Sequence, residues 1–288
     1  MPTNLFRRVA FAAVAIPVAF GLVYLGGWPL VLLVSAASVL GVRELYAFAD
    51  KLELRPSRAF GYGTAALVAP AVYLALTRPG TAEGVAMWWP FAGAIWLVAM
   101  LSWILFTRLP GARPLGAAAL TTLAVLYAGS LPAFLIVIRH ATFGPRSLPA
   151  TMLVFFPLVV IWVCDTLAMF GGTLLGGPKL WPAVSPGKTR SGGAAGIVGG
   201  VLVGALFAWV VFPGMGIIAG AGSVLFIAAA LSVVGQVGDL VESAFKREVG
   251  VKDSGTLIPG HGGVLDRLDS LYFAIPVTAA LYRFFGIG

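Results

Sequence analysis

Charge is scarce in this sequence, and that scarcity decides the class of protein. Only 10% of the 288 residues are Asp, Glu, Lys or Arg, while 59% are apolar. A soluble domain carries about 25% charged residues; here too little polar surface exists to cover a water-soluble body. The mean hydropathy of +0.97 excludes intrinsic disorder, which needs low hydrophobicity. Cysteine is nearly absent: Cys164 stands alone, so no disulfide can form within the chain. Basic clusters are absent as well. The net charge of +8 comes from Lys and Arg that never gather beyond pairs. That argues against a nucleic-acid partner and for the basic cytoplasmic loops of a membrane protein.

Long apolar stretches are abundant. A membrane-spanning helix needs about 20 mostly apolar residues. Nine stretches qualify: 9–25, 28–49, 60–76, 87–106, 115–138, 152–172, 193–212, 217–241 and 271–285. They are separated by turn dipeptides such as Gly26-Gly27, Pro110-Gly111 and Pro213-Gly214. Pro132 predicts a kink or split in the fifth stretch. The first follows Arg7 and Arg8, as a cleaved signal would, but eight more follow it and a retained helix is expected. The expected fold is all-α: a polytopic integral membrane bundle of about nine transmembrane helices, one membrane domain over residues 1–288.

Orientation follows from the basic residues. A cytoplasmic N-terminus places fifteen Lys and Arg on that side. It leaves only Arg78, Arg139, Arg146 and Arg283 on the other. The two longest polar segments, 173–192 and 242–270, then both face the cytoplasm. The expectation is a multi-pass protein of the inner (plasma) membrane, with its chemistry on the cytoplasmic side. Gly192, Gly196, Gly200 and Gly204 recur every fourth residue. Such a ridge permits close helix approach in lipid, and a homodimer is an expected use of it.

A third of the charged residues, ten of thirty, fall within 239–269. Asp266 and Asp269 are three apart and share a helix face. Asp239 lies near the end of the eighth stretch, where an unpaired carboxylate is costly. Hard cations such as Mg²⁺ take carboxylate oxygens together with substrate phosphates, and Lys246, Arg247 and Lys252 suit phosphate. Gly260, Gly262 and Gly263 let backbone approach a ligand. The competing reading is a solvated loop with incidental ion pairs, although such a loop would be poorer in acids. In the first polar segment, Gly187-Lys188-Thr189 imitates the end of a phosphate-binding P-loop, but that motif needs a glycine where Pro182 stands. What remains is a donor cluster of Ser185, Lys188 and Thr189 before a helix start, suited to phosphate. Asp165 lies inside the sixth stretch. An intramembrane carboxylate is functional by default, the alternative being a hydrogen bond to a neighbouring helix. Cys164 reads as a small apolar filler and His140 as inert. His261 is either a phosphate donor or a residue that fixes its loop.

Together these residues resemble the signature of the phosphatidate cytidylyltransferase, or CDP-diacylglycerol synthase, family. The matching run is Ser243, Lys246-Arg247, Lys252-Asp253, Gly255, Pro259, His261-Gly262-Gly263 and Asp266-Arg267-Leu268-Asp269. Upstream, Asp165-Thr166, Ala168, Gly172, Gly176, Lys179-Leu180, Ser185-Pro186-Gly187-Lys188-Thr189 and Gly192 also match. Leu167 and Met169 depart from it, standing where the family has Gly and Tyr. The resemblance covers Asp165 to Asp269 in two matching blocks, within a motif-bearing catalytic half of about residues 152–288. It implies a nucleotidyltransferase of phospholipid biosynthesis that converts CTP and phosphatidate to CDP-diacylglycerol and pyrophosphate with Mg²⁺ and room for a second cation.

The expected metal ligands are Asp239, Asp266, Asp269 and Asp165. Lys246, Arg247, Lys252, Asp253, His261 and Arg267 form the catalytic set, and Ser185, Lys188, Thr189 and Ser243 bind substrate. On this reading Asp266→Asn abolishes turnover without unfolding the protein. A CTP-dependent lipid-alcohol kinase and a transporter are the alternatives. The kinase would lack the complete signature, and the transporter would share intramembrane Asp165 without needing a dense acid–base loop.

Overall fold

The structure is a computed structural model that describes residues 16–78, 81–257 and 262–288. It is a helical bundle. The helices are α1 (Ile16–Leu25), α2 (Gly27–Lys51), α3 (Arg58–Thr77), α4 (Thr81–Thr107), α5 (Pro114–His140), α6 (Leu148–Leu175), α7 (Arg190–Gly214), α8 (Ala221–Glu248) and α9 (Leu265–Phe285). Among the described residues, seven of these, α2 to α8, are long and apolar enough to cross a membrane. α1 is shorter, and the N-terminal part of the first expected stretch lies outside the described residues. α9 opens on Asp266, Arg267 and Asp269 before its apolar stretch begins.

The helices start and stop where local chemistry dictates. Ser147 caps α6 by accepting a hydrogen bond from the Ala150 N–H (3.2 Å), with Pro149 in the first turn. Thr189 caps α7 in the same way, accepting from the Gly192 N–H at 3.1 Å. These caps satisfy donors that a helix start leaves free. Pro132 does not split α5 in two. Residues Val125–Ser130 form a π-helical turn and Leu131–Ala133 a 3₁₀ turn. The ladder widens, then tightens, around a residue that has no N–H to donate.

One element departs from an all-α fold. Between α6 and α7 lies an antiparallel hairpin of β1 (Lys179–Trp181) and β2 (Ser185–Thr189), pairing Lys179 with Thr189 and Trp181 with Ser185. The Arg190 N–H donates to the Pro178 carbonyl at its base. Pro182, Pro186 and Gly187 all disfavour helix, so this polar stretch pairs with itself instead.

The core is aromatic and aliphatic. Phe156 of α6 packs against Phe207 and Phe212 of α7, with ring centroids 5.1 and 5.5 Å away, and Tyr282 of α9 closes the cluster. The glycine face of α7 is spent within the chain. A methyl at Gly196 would meet the Cys164 carbonyl of α6 at 2.9 Å, one at Gly192 the Ala168 carbonyl at 2.6 Å, and one at Gly204 the Ala228 side chain of α8 at 2.6 Å. α7 is thus wedged between α6 and α8. The face that prompted the expectation of a homodimer is already occupied, and lends it no support.

These close approaches set a test. Gly196→Ala should destabilise the protein by about 1–3 kcal/mol, since backbone cannot move aside as a side chain can. Gly222→Ala, where nothing lies within 4 Å, should be neutral. Thermal unfolding of both variants in detergent would show a lowered midpoint for the first alone.

Candidate functional site

α6, α7, α8, α9 and the hairpin enclose a cavity of about 780 Å³. Every residue lining it falls between Trp162 and Asp269, inside the motif-bearing half. α6 presents Asp165, Met169 and Gly172 at helical spacing, and α8 presents Gln236 and Asp239, three apart on one face. The hairpin contributes Lys179, Lys188 and Thr189, and α9 contributes Asp266, Arg267 and Asp269.

Of the residues singled out from sequence, Asp165, Lys188, Thr189, Asp239, Asp266, Arg267 and Asp269 meet at this cavity. Lys188 is ion-paired with Asp239, and the Ser243 hydroxyl donates to the other Asp239 oxygen at 3.2 Å. Ser243 therefore acts from behind Asp239 rather than from the cavity wall. Thr189 is buried and serves as the α7 cap. Ser185, Arg247, Lys252 and Asp253 are absent from the lining. Arg247 instead donates to the carbonyls of Val184 and Val251, each at 3.2 Å, tying the hairpin turn to the end of α8. Lys252 and Asp253 are exposed. His261 lies outside the described residues. His140 is not inert: its Nε2 accepts the Gly27 N–H at 3.1 Å at the start of α2.

Lys246 and Asp266 differ most from their expected roles. The Lys246 ammonium sits 2.7 Å from Glu242 Oε2 and 2.8 Å from Asp266 Oδ1, with its side chain 11% exposed. It is engaged by two buried carboxylates and points at no open space where phosphate would bind. Asp266 Oδ2 accepts from the N–H of Ser254, the N–H of Gly263 and the Ser254 hydroxyl, at 2.8, 2.8 and 2.9 Å. Both of its oxygens are committed. It holds Ser254 and Gly263 as well as facing the cavity.

Asp266 and Asp269 stand in the polar first turn of α9, ahead of the apolar stretch 271–285. Burial raises the Asp266 pKa, but the Lys246 hydrogen bond and the two backbone N–H groups outweigh it and bring it down to about 2. Asp269 goes the other way. Burial and then the negative charge of Asp239 push it up to about 6. Like charges across the cavity disfavour each other's ionised form, and a cation between them would relieve that cost.

Among the described residues no three acidic side chains converge tightly enough to enclose a metal by themselves. That fits Mg²⁺, which is usually held by one or two carboxylates and completed by substrate phosphates and water. Asp239 and Asp269 supply hard oxygen donors, and the Lys188 ammonium already marks where positive charge is stabilised beside Asp239.

Sequence reasoning missed two residues. Gln236 donates to the Gly193 carbonyl at 3.1 Å and lines the cavity; nothing in its surroundings distinguishes it from a packing amide. Glu44, in α2, accepts from the N–H groups of Val264 and Leu265 at the start of α9. Its signal was available: a carboxylate inside an apolar span, the same rule that picked out Asp165.

The profile of the cytidylyltransferase family matches residues 6–285. Three similar proteins bear the name phosphatidate cytidylyltransferase. That of Brucella suis biovar 1 is 36% identical over 98% of this chain and 93% of its own length. That of Bacillus subtilis is 43% identical over 57% of this chain and 58% of its own length. That of Staphylococcus epidermidis (strain RP62A) is 45% identical over 44% of this chain and 48% of its own. The chain thus spans only about half the length of the last two relatives.

The Asp266 network sets a stability test that revises the sequence-based expectation. Asp266→Asn breaks a buried ion pair and should cost about 3 kcal/mol, so it loosens the fold as well as the site. The folded-state pKa is depressed, so this stabilisation is fully present above the unfolded value of 3.8 and is lost as pH falls towards 2. The gap between wild-type and variant unfolding midpoints should close over that window. A gap that persists unchanged to pH 2 would contradict the assignment.

Proposed function

Because this chain belongs to the cytidylyltransferase family, we propose that it makes CDP-diacylglycerol and pyrophosphate from CTP and phosphatidate. The observation that carries this reading is the cavity itself. Carboxylates from three helices and a hairpin lysine meet in a space of about 780 Å³, beside apolar helices long enough to span a bilayer. Phosphatidate lies in that bilayer with its phosphate at the interface, and CTP arrives from water.

A phosphate oxygen of phosphatidate attacks the α-phosphorus of CTP. The new P–O bond forms as the bond to the bridging oxygen breaks, and pyrophosphate leaves with that electron pair. No covalent enzyme intermediate is required, so the protein supplies positioning and charge stabilisation. Lys188 and Arg267 hold triphosphate oxygens, with Lys179 beside them at the cavity wall. The start of α7 borders the cavity at Gly192 and Gly193, where the positive end of the helix dipole favours a phosphate. Asp239 and Asp269 would hold Mg²⁺, and Asp165, across the cavity, would hold a second cation or a water. Mg²⁺ supplies neutralisation of charge on the attacking and leaving oxygens. Asp266 and Lys246 act by fixing the first turn of α9 against α8, Ser243 orients Asp239, and Arg247 anchors the hairpin. His261 remains proposed as an orienting donor, and Ser185, Lys252 and Asp253 as outer residues that meet the substrates on approach.

The topology proposed with this reading has nine spans, α1 and α9 being the outermost in sequence. The N-terminus and the catalytic face lie in the cytoplasm, and the host is the inner membrane. The basic asymmetry of fifteen against four supports it. The whole chain forms one membrane domain. Its second half carries the chemistry.

Purified protein given labelled CTP, phosphatidate and Mg²⁺ should move label into lipid with one pyrophosphate released per lipid formed. Asp239→Asn and Asp269→Asn should each lower kcat about 100-fold or more while leaving the protein folded. A phosphorylated lipid with CDP as the water-soluble product would identify a kinase instead. Label that stays in water, with no pyrophosphate, would reject the proposal.

A further inference from the structure

Among the described residues, the first five helices contribute none to the cavity lining, yet α2 reaches the site through one side chain. Glu44 is 8% exposed. Its Oε1 accepts the Val264 N–H and its Oε2 the Leu265 N–H, both at 2.8 Å. These are first-turn donors of α9, and no side chain of α9 caps them. Without Glu44 they would be buried and unsatisfied. The same Oε2 accepts the Ser254 hydroxyl at 2.8 Å. Ser254 in turn touches Asp266 Oδ2 through both its hydroxyl and its N–H.

The glycines around this carboxylate show how tightly it is enclosed. A methyl on Gly255 would come to 2.9 Å from Glu44 Oε1, and one on Gly263 would collide with the carboxylate. The backbone at Gly255 and at Gly263 thus closes onto Glu44. A carboxylate at a helix N-terminus also complements the helix dipole.

We propose that Glu44 is the positioning residue that sets the start of α9, and through it the placement of Asp266 and Asp269 at the nucleotide site. The role rests on the reaction proposed above. Glu44 touches neither substrate nor metal. It determines where the two aspartates stand, by fixing the two N–H groups immediately before Asp266 in the chain and the Ser254 turn that holds Asp266 from the other side.

Glu44→Gln is the first variant to test. It keeps the shape of the side chain but turns an NH₂ group onto a backbone N–H donor, which costs the hydrogen bond without opening a cavity. Gly263→Ala is the second: its methyl would collide with both the Ser254 hydroxyl and the Glu44 carboxylate, so it displaces this pair and leaves the Glu44 charge in place. In full-length protein in detergent, with no nucleotide or Mg²⁺ added, hydrogen–deuterium exchange of the 262–270 segment should accelerate in both variants. Exchange in α7 should stay unchanged. Per folded molecule, kcat should fall or the half-saturating Mg²⁺ concentration should rise by about 10- to 100-fold, as for groups that orient metal ligands. KM for phosphatidate should change little.

Wild-type exchange in 262–270 would overturn the proposal. So would variants that lose yield and thermal midpoint but keep wild-type kcat and Mg²⁺ dependence in the folded fraction. If wild-type protein itself fails to turn over CTP, the functional reading fails, and the exchange experiment still decides whether Glu44 fixes this segment.

Discussion

A carboxylate buried among apolar helices must be matched by donors or cations, and the arrangement of this molecule follows from that demand. A charge left unpaired in low dielectric is far costlier than one in water. Here Glu44, Asp266 and Glu242 are matched along one continuous line. Glu44 meets the start of α9 and Ser254, Ser254 meets Asp266, and Asp266 shares Lys246 with Glu242. That line crosses α2, the turn before α9, α9 itself and α8. It ties together the elements that carry Asp239, which meets Lys188 and Ser243, and Asp269, which accepts from the Ser270 N–H. Glu44 and Asp266 have both oxygens held by protein donors, whereas Glu242 is held by Lys246 through Oε2 alone.

Close packing supplies the second constraint. α7 has almost no side-chain bulk on the face it turns to α6 and α8, so their backbones approach it directly. Asp165 on α6 and Asp239 on α8 therefore border one cavity instead of being held apart by the helix between them. The hairpin closes the polar end. Its turn is tied to α8 by Arg247 and its base ends in the Thr189 cap, so Lys188 projects from an ordered strand.

Much of this was legible in the sequence, and the failures have physical causes. Helix positions followed from apolar runs, since a lipid environment forces backbone polar groups to pair locally. Asp165 and Asp239 stood out because acids in or beside apolar spans demand a partner, and Asp269 because it shares a helix face with Asp266. The roles of Lys246 and Arg247 were not legible. Residue type shows that a cation can bind phosphate, but which anion reaches it first depends on tertiary placement. Glu242, one turn before Lys246, is a natural helix partner at that spacing, and this pairing argued against a free ammonium. The hairpin was hidden because its strands are only three and five residues long. Glu44 itself carried a signal, as an acid inside an apolar span, but its partners were hidden because they are backbone N–H groups 220 and 221 residues away, which no local pattern records.

That separation has a consequence in time. At about 5–20 residues per second of synthesis, Glu44 emerges on the order of 10–40 s before the backbone groups that satisfy it. Until then α2 carries a carboxylate whose presence in lipid costs a few kcal/mol and whose partners do not yet exist. The early helices can insert and pack, but they hold a vacant socket. Docking of the last helix fills it, and the same event brings Asp266 and Asp269 to the cavity. The chain thus becomes competent only once α9 is made and docked, and a copy that stops short of α9 lacks both aspartates and leaves Glu44 unmet.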